Sequence, residues 1–203
     1  MKALDLFCGG GGASAGLAKA GFEVTGVDLF PQPKYPYKFI QADAMTFPLD
    51  GYDLIWASPV CKHFSSATRT SRTIDKWPDQ ITPIRKRLQS CNTLYVIENV
   101  AGAPLKNAFM LCGIMFGLPL YRHRFFECNF NIALPSHPKH VARVGKMGRP
   151  LKEGEFINPV GHFSDVKAAQ RAMKILWLGQ KELAQAIPPA YSEFIANSIK
   201  RNI

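Results

Sequence analysis

Residues 2–28 read K-A-L-D-L-F-C-G-G-G-G-A-S-A-G-L-A-K-A-G-F-E-V-T-G-V-D, and this stretch decides the fold. The run over 2–7 is apolar apart from one acidic residue, which is typical of a strand buried on both faces. Four glycines, Gly9 to Gly12, lead into a short helical segment over 13–20 that ends at Gly21. A second strand is predicted over 23–29. The stretch therefore predicts a β-α-β unit with a glycine turn at its first strand-to-helix junction.

The alternation of strands and helices continues beyond this unit. We predict strands over 38–43, 52–58 and 93–99, a polar loop over 65–77, a helix over 84–92, a strand or hairpin over 118–129, and helices over 167–178 and 181–201, the last one interrupted at Pro188-Pro189. This pattern predicts the α/β class with a doubly wound, Rossmann-like sheet. In such sheets, ligands bind at the carboxyl ends of the strands.

The chain of 203 residues is long enough for one domain with at most a small additional lobe. We assign residues 1–128 and 166–203 to a single catalytic and cofactor-binding domain. Residues 129–165 are rich in proline, glycine and basic residues and show no lasting periodicity. They are predicted to form an inserted loop or small lobe, and a loop of this length usually has a function.

Charge is unevenly distributed along the chain, which carries a net charge of +10. Residues 1–60 hold four Lys/Arg and six Asp/Glu, so the remaining residues hold twenty-one and nine. A basic half of this kind is expected in a protein that binds a polyanion such as nucleic acid. A solvated basic surface accounts for the charge equally well, so charge alone leaves both interpretations open.

Composition excludes several classes of protein. An apolar content of 47% excludes a disordered chain, and no run of eighteen apolar residues is present to span a membrane. The sequence has no signal-peptide layout, and its five cysteines show no CxxC pairing, so we expect neither a disulfide framework nor a structural zinc site. These features predict a soluble protein of a reducing cytoplasm. The five histidines show no metal-ligand spacing and are expected to be surface or loop residues: His63, His123, His137, His140 and His162.

The glycine turn is the first candidate site. Gly10, Gly12 and Ala15 satisfy the loose dinucleotide pattern G-x-G-x-x-A, and Asp28 ends the second predicted strand. An acidic residue there can accept hydrogen bonds from ribose hydroxyls. The pattern indicates an adenosine-bearing cofactor but leaves NAD, FAD and S-adenosylmethionine open.

The next candidates follow the later strands. Cys61 comes directly after the fourth strand, beside Lys62 and His63, whose positive charge is expected to lower the pKa of the thiol. A small buried hydrophobe is the alternative role of such a cysteine. Glu98 closes the next strand, where burial would raise its pKa and let it donate a proton or a hydrogen bond. Arg122 and Arg124 alternate in the segment YRHRFF and would point to one side of a strand.

Taken in order, these motifs resemble those of the cytosine-C5 DNA methyltransferases. The resemblance rests on Asp5-Leu6-Phe7-Cys8 with Gly9 to Gly12, then Asp28, Asp43, Pro59-Val60-Cys61, Glu98-Asn99-Val100 and Arg122-x-Arg124. The short chain, with Ile187-Pro188-Pro189-Ala190-Tyr191 before a terminal helix, is most similar to small phage-type members. The resemblance also has departures: Val60 and Lys62 flank the cysteine in place of proline and glutamine, Leu120 replaces a glutamine, and Ala184-Gln185 replaces Gly-Asn.

The resemblance implies S-adenosylmethionine as the cofactor. By that resemblance, Phe7 faces the adenine, Gly9 and Gly11 line the methionine moiety, Asp28 holds the ribose, and Asp43 accepts from the adenine amino group. Leu29 and Pro59 are assigned to the cofactor site on the same basis.

The resemblance also implies the chemistry and the partner. Cys61 adds to carbon 6 of cytosine, Glu98 binds N3 and the exocyclic amine, and Arg124 approaches the base carbonyl with support from Arg122. The partner is duplex DNA with its target base flipped out, in a bacterial or phage-infected cell. RNA or a free cytosine nucleotide as substrate, a catalytically inactive DNA- and cofactor-binding relative, and an NAD-dependent oxidoreductase are the alternatives. The last of these leaves the motifs at Cys61 and Glu98 unexplained.

Residues 129–165 occupy the place of the family's target-recognition domain and are too few for a large one. Five basic residues interleaved with glycines are predicted to bind phosphates of the nucleic acid: Lys139, Arg143, Lys146, Arg149 and Lys152. We expect this reduced element to read very few base pairs or none. A disordered connector is the alternative.

Overall fold

The structure is a computed structural model and describes residues 1–61, 64, 78–146 and 148–200. The polar loop predicted over 65–77 lies outside the described residues, as do Lys62 and His63 beside Cys61.

The described elements follow the predicted order. Strands are β1 (Lys2–Leu6), β2 (Glu23–Asp28), β3 (Lys38–Gln41), β4 (Leu54–Ala57), β5 (Leu94–Asn99), β6 (Phe109–Leu111) and β7 (Arg124–Cys128). Helices are α1 (Gly12–Lys19), α2 (Ile81–Gln89), α3 (Val166–Met173), α4 (Gln180–Leu183) and α5 (Pro189–Lys200), with a 3-10 turn over Gly113–Phe116. The helix predicted over 181–201 is therefore two helices, and α5 begins at the expected proline pair.

Two helix ends differ from the prediction for local reasons. Helix α2 begins three residues earlier than expected because the Asp79 carboxylate accepts the backbone N–H groups of Ile81 and Thr82. Helix α3 ends at Met173, well before the predicted residue 178, because Lys174 adopts a left-handed conformation with φ 56°.

The seven strands form one sheet in the order β3-β2-β1-β4-β5-β7-β6. The first five are parallel, whereas β7 runs antiparallel to β5 and to β6. The prediction of an α/β doubly wound sheet is confirmed. The strand predicted within 118–129 is β7, and its antiparallel partner β6 was not predicted. Connections leave β1 and β4 in opposite directions across the sheet, so a crevice opens at their carboxyl ends.

Both faces of the sheet are buried, as strand β4 shows. Its Leu54 and Trp56 belong to a core shared with α1 and α5, whereas Ile55 and Ala57 belong to a second core with α2 on the other face. This explains why the strand is a continuous apolar run. A third core joins α3 and α4 to the end of residues 129–165 through Ile157 and Phe163.

Helices α1 and α5 approach each other very closely. A Cβ on Gly16 would lie 2.0 Å from the carbonyl oxygen of Pro189, so only glycine fits there. The hydroxyl of Ser192 donates to the carbonyl oxygen of Ala13 at 2.7 Å. The last described helix is therefore packed against the helix that follows the glycine turn.

Within the described part of the chain, none of the helices has the length and apolar character needed to cross a membrane.

Candidate active site

The glycine turn leaves β1 through a series of left-handed residues. Phe7, Gly9 and Gly11 have φ angles of 59°, 48° and 84°. The side chain of Asp28 fastens the turn, because one carboxylate oxygen accepts the Gly9 N–H at 3.0 Å and the other accepts the Phe30 N–H at 3.1 Å. The structure thus places Asp28 against the turn, at the carboxyl ends of β1 and β2.

The glycines of the turn face different surroundings. A Cβ on Gly10 would lie 2.5 Å from Leu178, and one on Gly12 would lie 2.4 Å from the carbonyl oxygen of Ile187. A Cβ on Gly9 would meet nothing within 4 Å. Trp177 also donates from its indole nitrogen to the carbonyl oxygen of Gly10 at 2.9 Å. The C-terminal segment therefore closes one side of the turn, and Gly9 leaves open space for a ligand.

Exposed apolar side chains stand beside Asp28. Leu29 is 56% exposed and Phe30 is 67% exposed, which is unusual for large apolar residues next to a buried strand. The nearby Asp43 is exposed, and its carboxylate accepts the Met45 N–H at 2.8 Å. Exposed apolar surface next to the Asp28 carboxylate fits a flat, hydrogen-bonding group such as an adenosine. Phe30 was not singled out in the sequence, although its place after Asp28 was a usable signal.

Asp5 lies in β1, just before the glycine turn, and is fully buried. The sequence indicated no separate role for this acid. It accepts a hydrogen bond from the Ser14 hydroxyl, while its second oxygen has no hydrogen-bond partner among the described residues. Burial raises the pKa of Asp5 to about 7, with the hydrogen bonds from Ser14 acting in the opposite direction.

The loop after β4 carries Cys61 and is held by two side chains. The Asn99 side-chain amide donates to the carbonyl oxygen of Pro59 at 2.9 Å, and Gln80 accepts the Val60 N–H at 3.1 Å. Asn99 is fully buried at the end of β5. These bonds fix the backbone just before Cys61, so the position of the thiol depends on the neighbouring strand and on the start of α2.

Glu98 and Arg124 form an ion pair beside that loop. The Nε of Arg124 lies 2.9 Å from Oε1 of Glu98, and both side chains are nearly buried. Glu98 also accepts a hydrogen bond from Ser58. Burial raises the pKa of Glu98, and Arg124 and then Arg122 oppose that rise. The carboxyl is thus held at the carboxyl end of β5, paired with the Arg124 guanidinium.

The effect of the surroundings on Cys61 is opposite to the prediction. Burial raises the pKa of the Cys61 thiol, Arg124 lowers it, and Glu98 raises it again. We expected sequence neighbours to lower this pKa, but loss of hydration outweighs the positive charge that the structure describes. The interactions with Arg124 and Glu98 nevertheless show that Cys61 lies within electrostatic range of both groups.

Arg122 lies in a different environment from Arg124. It is buried and donates to the carbonyl oxygens of Pro159 and Ala184, both at 2.8 Å. Burial lowers the pKa of Arg122 to about 9, and Arg124 adds to that effect. The Tyr191 hydroxyl donates to the backbone carbonyl oxygen of Arg122 at 2.5 Å. The hydrogen bonds of Arg122 therefore tie three chain segments together.

The predicted residues form two groups in the crevice. Phe7, Gly9, Gly11, Asp28, Leu29 and Asp43 surround the ends of β1, β2 and β3, whereas Pro59, Cys61, Glu98 and Arg124 lie at the ends of β4 and β5 and the start of β7. Asp5 interacts electrostatically with both Asp28 and Glu98, so the two groups are neighbours. The arrangement can hold an adenosine cofactor beside a thiol, an acid and a guanidinium.

The match to a family model includes the whole first group and also Pro59 and Cys61 of the second. Residues 4–78 match the family model described as a methyltransferase domain. Among curated proteins, the type II methylase M.HgiDII of Herpetosiphon aurantiacus is 33% identical over 90 residues. That match covers 36% of this chain and 25% of the relative, so the chain spans about a quarter of the length of the relative that it matches.

Solved structures match over almost the whole chain. A prophage-encoded protein of E. coli, named as a DNA modification methyltransferase, has a TM-score of 0.69 at 14% identity, with 99% of each chain covered. The Dnmt2 methyltransferase of S. pombe has a TM-score of 0.62 at 14% identity, covering 100% of this chain and 99% of its own. The methyltransferase EhMeth of Entamoeba histolytica has a TM-score of 0.62 at 9% identity, covering 100% and 98%.

The fold is of the class I methyltransferase type. Together with the family-model match, it implies S-adenosylmethionine as the cofactor. The residues present fit that molecule, because Gly9 leaves open space beside the Asp28 carboxylate and apolar Leu29 and Phe30 adjoin it. NAD and FAD, which the glycine pattern left open, are not supported by these matches.

Proposed function

We propose that this protein transfers a methyl group from S-adenosylmethionine to carbon 5 of cytosine in DNA, with Cys61 as the nucleophile. The observation that carries the proposal is the Glu98–Arg124 ion pair beside Cys61, on the side of the crevice next to the glycine turn. On a cytosine, the thiol can add to carbon 6 and the carboxyl can hydrogen-bond the N3 edge. The guanidinium can donate to the carbonyl oxygen. A plain cofactor-binding protein needs none of these three groups together.

Cys61 would begin the reaction. Its Sγ forms a bond to carbon 6, which makes carbon 5 nucleophilic. Bound S-adenosylmethionine supplies the methyl group in electrophilic form. Carbon 5 would take the methyl group as the sulfur–methyl bond breaks and S-adenosylhomocysteine is left. Carbon 5 would then lose its proton to solvent as the bond between Sγ and carbon 6 breaks and the 5,6 double bond forms again. The Cys61 thiolate is recovered at the end of the cycle.

Glu98 and Arg124 would stabilise the charge that develops on the ring. Glu98, whose pKa is raised by burial, is suited to hold a proton against N3 and to accept from the exocyclic amine. Arg124 is suited to the base carbonyl and to stabilising the Cys61 thiolate. Arg122 supports this arrangement from behind through its bonds to Pro159 and Ala184. It is a positioning residue for Arg124.

Several observations support DNA as the partner. Positive charge is concentrated in residues 61–203, and four of the five predicted phosphate-binding residues are exposed: Lys139, Arg143, Lys146 and Lys152. Arg149 differs, because it forms a two-point ion pair with Glu155 at 2.6 and 2.8 Å. The relative named a type II methylase and the neighbour named a DNA modification methyltransferase agree with a DNA substrate. A base in duplex DNA must be flipped out to reach Cys61.

Residues 129–165 would serve as the reduced recognition element. Their irregular backbone is joined to the rest of the protein by the Ile157 N–H, which donates to the carbonyl oxygen of Pro119 at 3.1 Å. Few side chains are available there to read base edges, so we expect a target sequence of very few bases. Sequencing of methylated DNA that returned a motif of four or more specified bases would contradict this part of the proposal.

The test is methyl transfer from labelled S-adenosylmethionine to duplex DNA, transfer RNA and dCMP in parallel, followed by digestion to nucleosides and mass spectrometry. 5-Methyldeoxycytidine from DNA is the expected product. Label in RNA or dCMP alone would overturn the choice of substrate. No label from a folded protein that binds the cofactor would overturn the activity.

The matched variants are Cys61→Ser and Cys91→Ser. Cys61→Ser should abolish turnover and leave cofactor binding unchanged. Cys91 lies outside the crevice, where its thiol donates to the Arg87 carbonyl, so Cys91→Ser should remain active. Retained activity in Cys61→Ser would show that another group is the nucleophile.

A further inference from the structure

Four side chains with metal-binding groups converge beside the start of β7. They are Cys112, His123, His137 and His140, and one ligand atom of each lies within 4.8 Å of every other. Cys112 precedes the 3-10 turn, His123 separates Arg122 from Arg124, and the other two histidines belong to residues 129–165. The three histidines are exposed, as expected for surface or loop residues, and the structure in addition brings them together with Cys112.

Two distances between ligand atoms in this cluster match the ligand separations of a tetrahedral metal site. Nε2 of His140 lies 3.3 Å from Nε2 of His137 and 3.5 Å from Sγ of Cys112. Tetrahedral zinc with ordinary zinc–nitrogen and zinc–sulfur bonds separates its ligand atoms by about 3.3 to 3.6 Å. Nε2 of His140 thus already has, to both His137 and Cys112, the spacing that one shared ion would give these ligand atoms.

The surroundings hold the ligands in place. The backbone N–H groups of Gly113 and Ile114 donate to Sγ of Cys112 and fix the position of the sulfur. The ring of Tyr121 stacks on His140 with 3.8 Å between ring centres. The Tyr121 hydroxyl accepts the Ala142 N–H at 2.8 Å and donates to the Ala142 carbonyl at 3.1 Å. Tyr121 therefore fixes both the ring of His140 and the backbone that follows it.

We propose that Cys112, His123, His137 and His140 bind one structural zinc ion. A thiolate with imidazoles is a donor set that zinc prefers, and a cysteine in a reducing compartment is available for a metal. Four protein ligands complete a tetrahedral site, so no position is left for a reacting water. The role assigned to the ion is therefore structural.

The position of this zinc site gives it a specific role. Its ligands come from the turn after β6, from the residue before β7, and from residues 129–165. The ion thus fastens the irregular segment to the backbone that carries Arg124. Residues 137–140 read His-Pro-Lys-His, so two of the four ligands are three residues apart, although this spacing did not lead to a predicted metal site. The other two ligands are too distant in the chain to be linked by spacing alone.

The first experiment measures metal directly. Protein purified without chelator should contain one equivalent of zinc by inductively coupled plasma mass spectrometry. After removal of the metal with a chelator, added Co²⁺ should give the visible bands of tetrahedral cobalt and a thiolate-to-cobalt charge-transfer band. Neither readout depends on methyl transfer, so failure here is distinct from failure of the proposed activity.

Variants identify the ligands. Cys112→Ser should eliminate the charge-transfer band, and His140→Gln should weaken cobalt binding by more than the roughly 10- to 100-fold that loss of a supporting group costs. Because Cys112 is buried and its replacement can disturb folding, the exposed His137→Gln provides a second test with the same expected loss of affinity. His162 is exposed and outside the cluster, so His162→Gln should bind cobalt as the wild type does.

Two results would overturn the proposal. One is a folded wild-type protein that contains no zinc and gives no tetrahedral cobalt spectrum, which would leave the cluster as stacked and hydrogen-bonded rings. The other is a metal spectrum that persists unchanged in His137→Gln and His140→Gln, which would place the metal elsewhere.

Discussion

The side-chain amide of Asn99 donates a hydrogen bond to the carbonyl oxygen of Pro59 at 2.9 Å, and this bond joins the end of β5 to the loop that carries Cys61. Asn99 also accepts the Val100 N–H through its side-chain oxygen at 3.0 Å. The residue next to the proposed acid thus positions the proposed nucleophile. Cys61 and Glu98 are coupled through one buried amide.

Asn99→Asp tests this coupling, because it keeps the size of the side chain and removes the donor. We expect kcat to fall by up to about 100-fold, since a small displacement of a reacting group is sufficient for such a loss. Cofactor affinity, measured by calorimetry, should not change. The control is Asn92→Asp at an exposed position. An unchanged kcat in Asn99→Asp would contradict a positioning role.

The reactivity of Cys61 should depend on pH in a way that two neighbours alter in opposite directions. Burial raises the pKa of its thiol, Arg124 lowers it and Glu98 raises it. Removing the positive charge with Arg124→Gln should move the rise in thiolate to higher pH, and Glu98→Gln should move it to lower pH. The measurement is the rate of iodoacetamide alkylation at Cys61 against pH, followed on its peptide by mass spectrometry. Shifts of the same sign in both variants would contradict this account.

Asp28→Asn should reduce affinity for S-adenosylmethionine by about 10- to 100-fold, because a hydrogen bond to a charged group contributes about 1.5–3 kcal/mol. The variant keeps one oxygen to accept the Gly9 N–H, so the fold should persist. Isothermal titration calorimetry measures the change. Asp50→Asn, at an exposed position, is the control and should bind as the wild type does. Equal affinities for both variants would remove Asp28 from the cofactor site.

Gly12→Ala should mainly lose stability, whereas Gly9→Ala should also lose cofactor affinity. A methyl group on Gly12 would collide with the Ile187 backbone, so this variant should lose about 1–3 kcal/mol of stability in urea unfolding. A methyl group on Gly9 meets no protein atom but is forced into a left-handed conformation that costs about 1–2 kcal/mol. It would also fill the space assigned to the cofactor. Gly9→Ala should therefore lose cofactor affinity even under conditions where both variants are folded.

The parts of the site that could be predicted from sequence are those that follow a strand directly. Cys61 and Glu98 each end an apolar run, and the carboxyl ends of parallel strands meet at one edge of a sheet. The chain order of the apolar runs therefore placed both residues in the crevice. The same reasoning placed Asp28 beside the glycine turn.

Other properties depend on contacts between segments far apart in the chain. The raised pKa of Cys61 comes from burial, and its sequence neighbours do not reveal how much water the fold excludes. The two carbonyl partners of Arg122 lie 37 and 62 residues away. The grouping of Cys112 with three histidines requires the antiparallel pairing of β6 and β7. Strand β6 has only three residues, so the sequence did not predict it.

The contacts of the glycine turn have a consequence for the order of events during synthesis. Trp177 and Ile187 close the turn from positions more than 160 residues downstream, and Ser192 reaches back to Ala13. During synthesis, Cys61 and Glu98 leave the ribosome long before these C-terminal partners. A growing chain therefore holds all the reactive groups while its cofactor pocket still lacks a wall. Synthesis that stops before Trp177 would therefore yield a polypeptide with an incomplete cofactor pocket.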